Sequence, residues 1–210
     1  MKLTVFGATG GIGQEIVKQA LAAGHQVTAV VRDPARLPVP LSEVQVVTSD
    51  LDDAEELRAA VAGRDAVLSG LGARKRSDAG VAARLTRPVL QAMEAEGTRR
   101  LLVVSAGPLG PAPQGQPLVD RAMLSVVNSA LRPVYADLRA MEDALAQSAT
   151  DWTSVRPPRL TNKPVSGVYR TVVGGNPSRG RTVARADVAH AMLAMIDDPA
   201  TVKQGVGVAY

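Results

Sequence analysis

A glycine-rich run, Gly-Ala-Thr-Gly-Gly-Ile-Gly at 7–13, is the feature that most constrains the fold of this chain. The apolar run 3–6 before it and the run 25–31 after it predict two strands. Between them, apolar residues recur at helical spacing: Ile12, Ile16, Val17, Ala20 and Leu21. Strand, glycine turn, helix and strand in about thirty residues is the context in which such a run binds a dinucleotide, although a plain glycine turn is the alternative. The turn from Gly7 to Gly13 is therefore predicted to hold a pyrophosphate, because glycines allow close backbone approach and the helix N-terminus offers free N–H groups.

The alternation of strands and helices continues to the end of the chain. It predicts one domain, 1–210, built on a single doubly wound parallel sheet with helices on both faces, the Rossmann fold. Pro88 is expected to kink or divide the third helix and Pro133 to break a later one. Further strands are expected at 44–48, 66–69, 101–104, 152–156, 169–173 and 206–209, and further helices around 54–61, 81–93, 119–127, 138–145 and 186–196.

Composition narrows the class of protein. The 210 residues are enough for a sizeable core, and the absence of cysteine excludes disulfides and thiolate metal ligands. No apolar run approaches membrane length and the first strand leaves no room for a signal peptide, so we expect a cytoplasmic protein that does not bind membranes. The net charge of +4 is mild and scattered. It indicates solubility and an anionic cofactor rather than nucleic-acid binding, which usually needs a clustered basic face.

Two arginines follow the second predicted strand, at the position that normally faces the adenine ribose of a bound dinucleotide. A carboxylate there binds the ribose hydroxyls, whereas arginine favours a 2′-phosphate. Arg32 occupies the strand tip and Arg36 follows it, so the sequence predicts NADP(H). Asp33 leaves an alternative open, because a rotated strand end would present its carboxylate to the ribose instead.

Other candidate ligand contacts follow the later strands, whose carboxyl ends border the crevice of such a sheet. Asp50 follows the third strand, near the expected adenine pocket, or is a simple turn residue. The run 70–74 follows the fourth strand and opens a basic cluster, Arg74, Lys75 and Arg76, which is equally compatible with a solvated loop. Ser105 follows the fifth strand and is the best polar candidate beside the reacting group, with backbone satisfaction as the alternative. The Gly- and Pro-rich segment 108–117 is a candidate lid.

The sequence lacks the residue patterns that several other kinds of active site require. His25 and His190 lie far apart in sequence, so no metal site is predicted, and His190 is expected to be structural. No Gly-x-Ser-x-Gly elbow and no Gly-Lys-Ser/Thr run is present. Tyr135 and Arg139 share helical spacing, but arginine does not match the reach or geometry of the lysine that usually lowers the pKa of a catalytic tyrosine.

Seven short motifs together resemble an atypical short-chain dehydrogenase/reductase, and more narrowly the biliverdin reductase B and flavin reductase branch of the NmrA-like NAD(P)H-binding proteins. The resemblance covers nearly the whole chain. Its first motif is shared by a whole superfamily, whereas the second and fourth are more specific to this branch. The motifs are Gly-Ala-Thr-Gly-Gly-Ile-Gly at 7–13, Val-Arg-Asp-Pro-Ala-Arg-Leu-Pro at 31–38, Asp50-Leu51, Leu-Gly-Ala-Arg at 71–74, Ser105-Ala106, Arg156-Pro157-Pro158 and Gly-Val-Tyr at 167–169.

The resemblance implies a set of cofactor contacts. The pyrophosphate would be contacted by the residues of the glycine turn: Thr9, Gly10, Gly11 and Ile12. The 2′-phosphate would be held by Arg32 and Arg36, and the adenine would lie near Asp50 and Leu51. Ser105 and Pro158 would lie near the nicotinamide, and Leu71, Gly72 and Arg74 would lie along the cofactor.

The chain also departs from the family pattern. Arg159 stands where the flavin reductase branch has a histidine, and the Tyr-x-x-x-Lys pair of related sequences falls on Val134 and Leu138, one position away from Tyr135 and Arg139. The expected function is hydride transfer from NADPH to a planar conjugated small molecule such as a flavin, quinone or tetrapyrrole, with Ser105 or solvent supplying the proton. The alternatives are a non-enzymatic NmrA-like redox sensor and, less well matched, a sugar-nucleotide epimerase. The oligomeric state stays open.

Overall fold

A computed structural model describes residues 1–73, 79–111 and 131–210, and most of its strands belong to one large sheet. Eight strands form that sheet in the order β3-β2-β1-β4-β5-β6-β10-β8, in which only the β10–β8 pair is antiparallel. Two further strands, β7 and β9, pair in parallel beside it. The strands are β1 Lys2–Phe6, β2 Gln26–Val31, β3 Gln45–Thr48, β4 Ala66–Ser69, β5 Arg100–Val104, β6 Asp151–Arg156, β7 Arg159–Thr161, β8 Arg170–Val173, β9 Thr182–Ala184 and β10 Gln204–Ala209.

The helices of the described ranges lie close to their predicted positions. Pro88 does not divide α3, which runs on through it, and Pro133 lies in the first turn of α4 instead of breaking a helix. Proline is tolerated in a first turn because its missing N–H would have no partner there. The helix predicted over 119–127 lies outside the described residues. The helices are α1 Gly11–Ala22, α2 Ala54–Val61, α3 Val81–Ala95, α4 Arg132–Gln147 and α5 Arg185–Ala194. None of them is long and apolar enough to span a bilayer.

Helices cover both faces of the large sheet, as the doubly wound prediction requires. Alternate residues of β1 enter different core layers, because successive side chains of a strand point to opposite faces. Leu3 and Val5 pack in the layer that contains α1 and α5, whereas Phe6 packs in the layer of α2, α3 and α4. All three side chains are fully buried. The near-continuous apolar strands of the sequence therefore reflect burial on two sides.

The strand order reverses beside β1. The chain runs outward through β2 and β3 on one side of it, and then returns to build β4, β5 and β6 on the other. Phe6, the last residue of β1, lies in register with Val30 and Ser69, so β1, β2 and β4 end at the same edge. A ligand crevice is expected at that edge, outside the carboxyl ends of β1 and β4.

A buried carboxylate joins two helices that flank this edge. Asp137, in the middle of α4, accepts hydrogen bonds from the backbone N–H groups of Ala82 (3.0 Å) and Ala83 (2.9 Å), in the first turn of α3. Gly80, the N-cap residue of α3, has no side chain to do so. The carboxylate satisfies two of the donors that a helix start leaves free and fixes α4 against α3.

Candidate cofactor and active site

The glycine turn leaves the start of α1 open to a ligand. Gly10 is the N-cap residue, and no side chain caps the helix. The N–H of Gly10 donates to the carbonyl oxygen of Gly7 (2.8 Å), which closes the turn. The N–H groups of Gly11 and Ile12 lie in the first helical turn, where they have no intrahelical acceptor. An anion at this point would receive those hydrogen bonds and the partial positive charge of the helix.

Two of the glycines are needed for packing inside the protein itself. Gly7 has φ of +70°, and a Cβ on it would lie 2.8 Å from the carbonyl carbon of Gly70. A Cβ on Gly13 would lie 2.1 Å from the carbonyl oxygen of Gly7. These glycines bring α1 and the end of β4 against the turn, so the turn is held in shape before a ligand arrives.

Two side chains of the turn have different surroundings. The Ile12 side chain is 8% exposed and belongs to the hydrophobic core. The contact predicted for Ile12 can therefore come only from its backbone N–H. Thr9 is half-buried at the turn, and its carbonyl oxygen accepts a hydrogen bond from the Gln14 side chain.

The tip of β2 presents two exposed arginines. Within the described ranges, the guanidinium groups of Arg32 and Arg36 make no hydrogen bond or ion pair, so both are available to an anion. Asp33 is engaged otherwise: its carboxylate accepts from the N–H of Ala35 (3.0 Å) and caps the short 3₁₀ turn 34–36. This local bond gives Asp33 a structural role and favours the 2′-phosphate interpretation over the ribose alternative.

The predicted adenine neighbours differ from each other. Asp50 is exposed, whereas Leu51 is 5% exposed and packs in the core layer that contains Phe6. Leu51 has φ of +67°, which is unfavourable for a residue with a Cβ, and its N–H donates to the Ser49 hydroxyl (3.0 Å). The left-handed turn at Leu51 directs the chain away from the end of β3 toward α2, and leaves Asp50 at the crevice edge.

The segment after β4 lies along the same edge. Leu71 and Gly72 are half-buried, and a Cβ on Gly72 would meet no described atom within 4 Å. Unlike Gly7, therefore, Gly72 is not required by contacts within the described protein. Arg74, Lys75 and Arg76 lie outside the described residues, as does the part of the candidate lid after Pro111.

The segments that contain Ser105 and Pro158 run side by side at the ends of β5 and β6. The N–H of Ser105 donates to the carbonyl of Val155 (2.7 Å), and the N–H of Gly107 donates to that of Pro157 (2.8 Å). The Ser105 hydroxyl is buried and makes no well-formed hydrogen bond to a described residue. It still lies close enough to Glu142 to contribute to lowering the pKa of that carboxyl.

A buried ion pair lies beside Ser105. Glu142 of α4 receives Nε (3.0 Å) and Nη2 (2.7 Å) of Arg156 and the hydroxyl of Ser154 (2.6 Å). Burial raises the pKa of Glu142, but these hydrogen bonds outweigh it and bring the pKa below its usual value. Gly205 of β10 leaves room for the pair, since a Cβ there would lie 2.3 Å from Nη1 of Arg156. Sequence reasoning missed Glu142; its only signal was the neighbouring Arg156-Pro157-Pro158 motif.

The remaining sequence candidates are structural or exposed. Tyr135 is half-buried on α4, and burial raises the pKa of its hydroxyl with no cation acting against it. Arg139 and Arg159 are exposed. His190 accepts or donates a hydrogen bond with the Tyr169 hydroxyl (2.7 Å) and stacks edge-on against that ring.

Sequence comparison identifies relatives with named activities. A 3-diazoavenalumate denitrifying reductase of Streptomyces is 37% identical over 132 residues, which are 57% of this chain and 42% of the relative. The chain thus matches less than half the length of that protein. A sugar epimerase of Bacillus subtilis, itself uncharacterised, is 26% identical over 96% of this chain and 90% of its own length.

Solved structures share the fold over the full chain. A candidate NADH-flavin reductase of Streptococcus pneumoniae superposes with a TM-score of 0.82 at 22% identity, covering 100% of this chain and 99% of its own. The anaerobilin reductase ChuY of Escherichia coli has a TM-score of 0.79 at 23% identity, covering 100% and 97%. A wide-type short-chain dehydrogenase/reductase of Veillonella parvula, in complex with NADP, has a TM-score of 0.79 at 22% identity, covering 100% and 94%. These likenesses confirm the Rossmann fold.

A family model described as NAD(P)H-binding matches residues 7–199, from the first glycine of the turn to beyond α5. The residues that it spans include a helix start without a side-chain cap and two arginines whose guanidinium groups have no partner among the described residues. These features fit a dinucleotide that carries a 2′-phosphate. The chain belongs to the NAD(P)H-binding family, whose cofactors are NADH and NADPH.

Proposed function

We propose that this protein is an NADPH-dependent reductase whose acceptor is a planar conjugated small molecule, such as a flavin, a quinone or a tetrapyrrole. The observation that carries the proposal is the backbone pairing of Ser105 with Val155 and of Gly107 with Pro157, at the carboxyl ends of β5 and β6. Because the two segments run side by side, one small polar side chain and the apolar surface of Pro158 lie at the same end of the sheet. A flat acceptor can stack on such a surface.

The binding end of the site is assigned to the glycine turn and the tip of β2. The N–H groups of Gly11 and Ile12 would receive the pyrophosphate, and the guanidinium groups of Arg32 and Arg36 the 2′-phosphate. Asp50 and Leu71 would border the adenine and the rest of the cofactor. When bound, NADPH supplies a hydride.

The reacting end of the site is assigned to Ser105. No well-formed hydrogen bond holds its hydroxyl, so rotation about the Cα–Cβ bond can turn Oγ from Glu142 toward the crevice. There Oγ would donate a hydrogen bond to the acceptor and orient it. Glu142 is ionised at neutral pH because its pKa is lowered, so it acts by holding Arg156 and the end of β6 in place and not by giving a proton. Extended π systems spread charge over many atoms and need orientation more than a dedicated acid.

The absence of a matched acid supports this class of acceptor over simple carbonyls. A carbonyl reductase of the short-chain type uses a tyrosine whose pKa is lowered by a nearby lysine. Here burial raises the pKa of Tyr135, and Val134 and Leu138 stand at the positions of that pair. The names of similar proteins point the same way: a flavin reductase, an anaerobilin reductase and a denitrifying reductase.

Anaerobic NADPH oxidation assays with one acceptor of each class test the proposal. We expect turnover with at least one of riboflavin, FMN, a naphthoquinone and biliverdin, and none with a short aliphatic aldehyde. Ser105→Ala is the matched variant and should lower the turnover number with little change in NADPH affinity. Tight NADPH binding without oxidation by any planar acceptor would contradict the enzyme proposal and favour a redox sensor.

A further inference from the structure

Arg185, the first residue of α5, covers the glycine turn from the opposite end of the chain. A Cβ placed on Gly11 would lie 2.6 Å from Cδ and 2.8 Å from Nε of Arg185. The arginine side chain therefore passes directly over the first residue of α1. A side chain at position 11 would displace the arginine from this place.

The small sheet of β7 and β9 places a partner beside this arginine. Thr161 and Ala184, the last residues of the two parallel strands, lie in register. The next residues along each strand are Asn162 and Arg185, and Nη1 of Arg185 donates to Oδ1 of Asn162. The carboxamide thus orients the guanidinium without neutralising it, because an amide oxygen carries no formal charge.

The backbone around Arg185 is fixed on both sides. The N–H of Ala184 donates to the Tyr210 hydroxyl (3.0 Å), and the carbonyl of Ala186 accepts from the Gln19 side chain of α1 (2.9 Å). The next carboxylate along the helix, Asp187, is fully buried and receives hydrogen bonds from Ser166, Gly167 and Tyr210. The backbone that carries Arg185 is therefore fixed beside α1.

No acidic side chain among the described residues pairs with Arg185 to balance its charge. The ion pairs of the described ranges do not include Arg185, so its guanidinium has an amide partner and no acidic one. It lies over the N-terminus of α1, which carries a partial positive charge of its own. Two like charges in contact are unfavourable unless an anion lies between or beside them.

We infer that Arg185, oriented by Asn162, is a pyrophosphate-binding residue that supplies a full positive charge to a turn otherwise made of backbone N–H groups. Its planar guanidinium has four further N–H donors besides the one given to Asn162, enough to reach a phosphate oxygen. The inference rests on the proposed placement of the cofactor at this turn. It separates two cationic subsites, Arg185 at the pyrophosphate and Arg32 with Arg36 at the 2′-phosphate.

Two ligands distinguish these subsites. NADP⁺ has both a pyrophosphate and a 2′-phosphate, whereas adenosine 2′-monophosphate has only the latter. Calorimetry should show that Arg185→Gln weakens the binding of NADP⁺ by roughly tenfold to a hundredfold and leaves the binding of adenosine 2′-monophosphate unchanged. Arg32→Ala is the matched control and should weaken both ligands. Asn162→Ala should give a smaller loss, for NADP⁺ only.

The outcomes separate failure of this inference from failure of the cofactor site. Equal losses of both ligands, or no loss, in Arg185→Gln would overturn the pyrophosphate assignment while the site itself stands. Failure of the unmutated protein to bind either ligand would overturn both. The melting temperature of Arg185→Gln without ligand should equal that of the unmutated protein. If it falls steeply, Arg185→Lys is tested in its place. A loss of affinity for NADP⁺ alone in that variant supports the pyrophosphate assignment, and an equal loss for adenosine 2′-monophosphate contradicts it.

Discussion

Gly7 and Gly70 are packed backbone against backbone, so closely that a Cβ on Gly7 would lie 2.8 Å from the carbonyl carbon of Gly70. The N–H of Gly70 also donates to the carbonyl of Phe6 (2.9 Å). The ends of β1 and β4 are thereby joined at the crevice through atoms that every residue has. Two residues further on, a Cβ on Gly72 would meet no described atom within 4 Å. The contrast distinguishes a glycine that the fold needs from one that packing among the described residues does not require.

Substitutions at these two glycines should therefore have opposite signatures. Gly7→Ala should destabilise the protein, because the new Cβ both clashes and disfavours φ of +70°. Gly72→Val should leave the melting temperature unchanged. If the cofactor lies beside Gly72, the new side chain should weaken the binding of NADP⁺ by tenfold or more. Thermal melts and calorimetry measure both quantities. Unchanged NADP⁺ affinity in Gly72→Val would place the cofactor elsewhere.

Cofactor choice should depend on Arg32. A charge-assisted hydrogen bond is worth about 1.5–3 kcal/mol, which corresponds to roughly tenfold to a hundredfold preference for NADPH over NADH. Arg32→Ala should lower NADPH affinity by that factor and leave NADH affinity nearly unchanged. The preference for NADPH should also shrink at high salt, because Arg32 and Arg36 are exposed and salt screens exposed charges. Equal dissociation constants for NADPH and NADH in the unmutated protein would contradict the assignment of Arg32 to the 2′-phosphate.

Breaking the buried ion pair of Glu142 should cost stability. Its side chain and that of Arg156 are 15% and 14% exposed. Removal of one partner leaves a buried charge uncompensated, so Glu142→Gln should lower the free energy of unfolding by about 3 kcal/mol. Glu55→Gln is the matched control, because its pair with Arg58 is exposed and should cost under about 1 kcal/mol. Urea titrations compare the two; similar losses would argue against a buried pair.

The same carboxylate predicts a pH dependence with a definite sign. The folded pKa of Glu142 is below its unfolded value of about 4.3, so the unfolded state binds more protons between the two values. The stabilisation is complete above the unfolded pKa and is lost as the pH falls through the folded pKa. Stability of the unmutated protein should therefore fall more steeply with acid than that of Glu142→Gln. Parallel curves would show that another group controls acid unfolding.

Tyr135→Phe should retain most reductase activity. Burial raises the pKa of the Tyr135 hydroxyl, which makes it a poorer acid at neutral pH. Steady-state kinetics with the best planar acceptor should show a turnover number within a few-fold of the unmutated protein. A loss of about a hundredfold with unchanged NADPH affinity would mean that α4 supplies the proton after all.

The large sheet was predictable because its strands obey local rules. Leu3 to Phe6 and Gln26 to Val31 are short apolar runs on either side of a glycine turn, and their pairing follows from that context. Asp53, directly before α2, caps that helix by accepting a hydrogen bond from the N–H of Glu55, as acidic residues at helix starts commonly do. Membership of the NAD(P)H-binding family is likewise confirmed, since it depends on motifs that are continuous in sequence.

The parts that sequence reasoning missed depend on distant contacts. β7 and β9 are three residues each, too short to show a period, and they exist because they pair with each other. Asp137 and Glu142 lie on the buried side of α4, where the pattern predicted only apolar contacts for Leu138, Met141 and Leu145. Pairing of a buried acid with Arg156 or with helix N–H groups leaves no trace in local periodicity.

The contact between Gln19 and Ala186 spans 167 positions of the chain. Closing a loop of that length is entropically costly before other contacts form, so this joint is expected to form only after the intervening strands have assembled. The glycine turn can form early, together with β1, α1 and β2, whereas Arg185 packs over the turn only when α5 docks. NADP(H), by binding both, would bind the finished protein and not its folding intermediates, and would selectively protect fully assembled molecules from degradation.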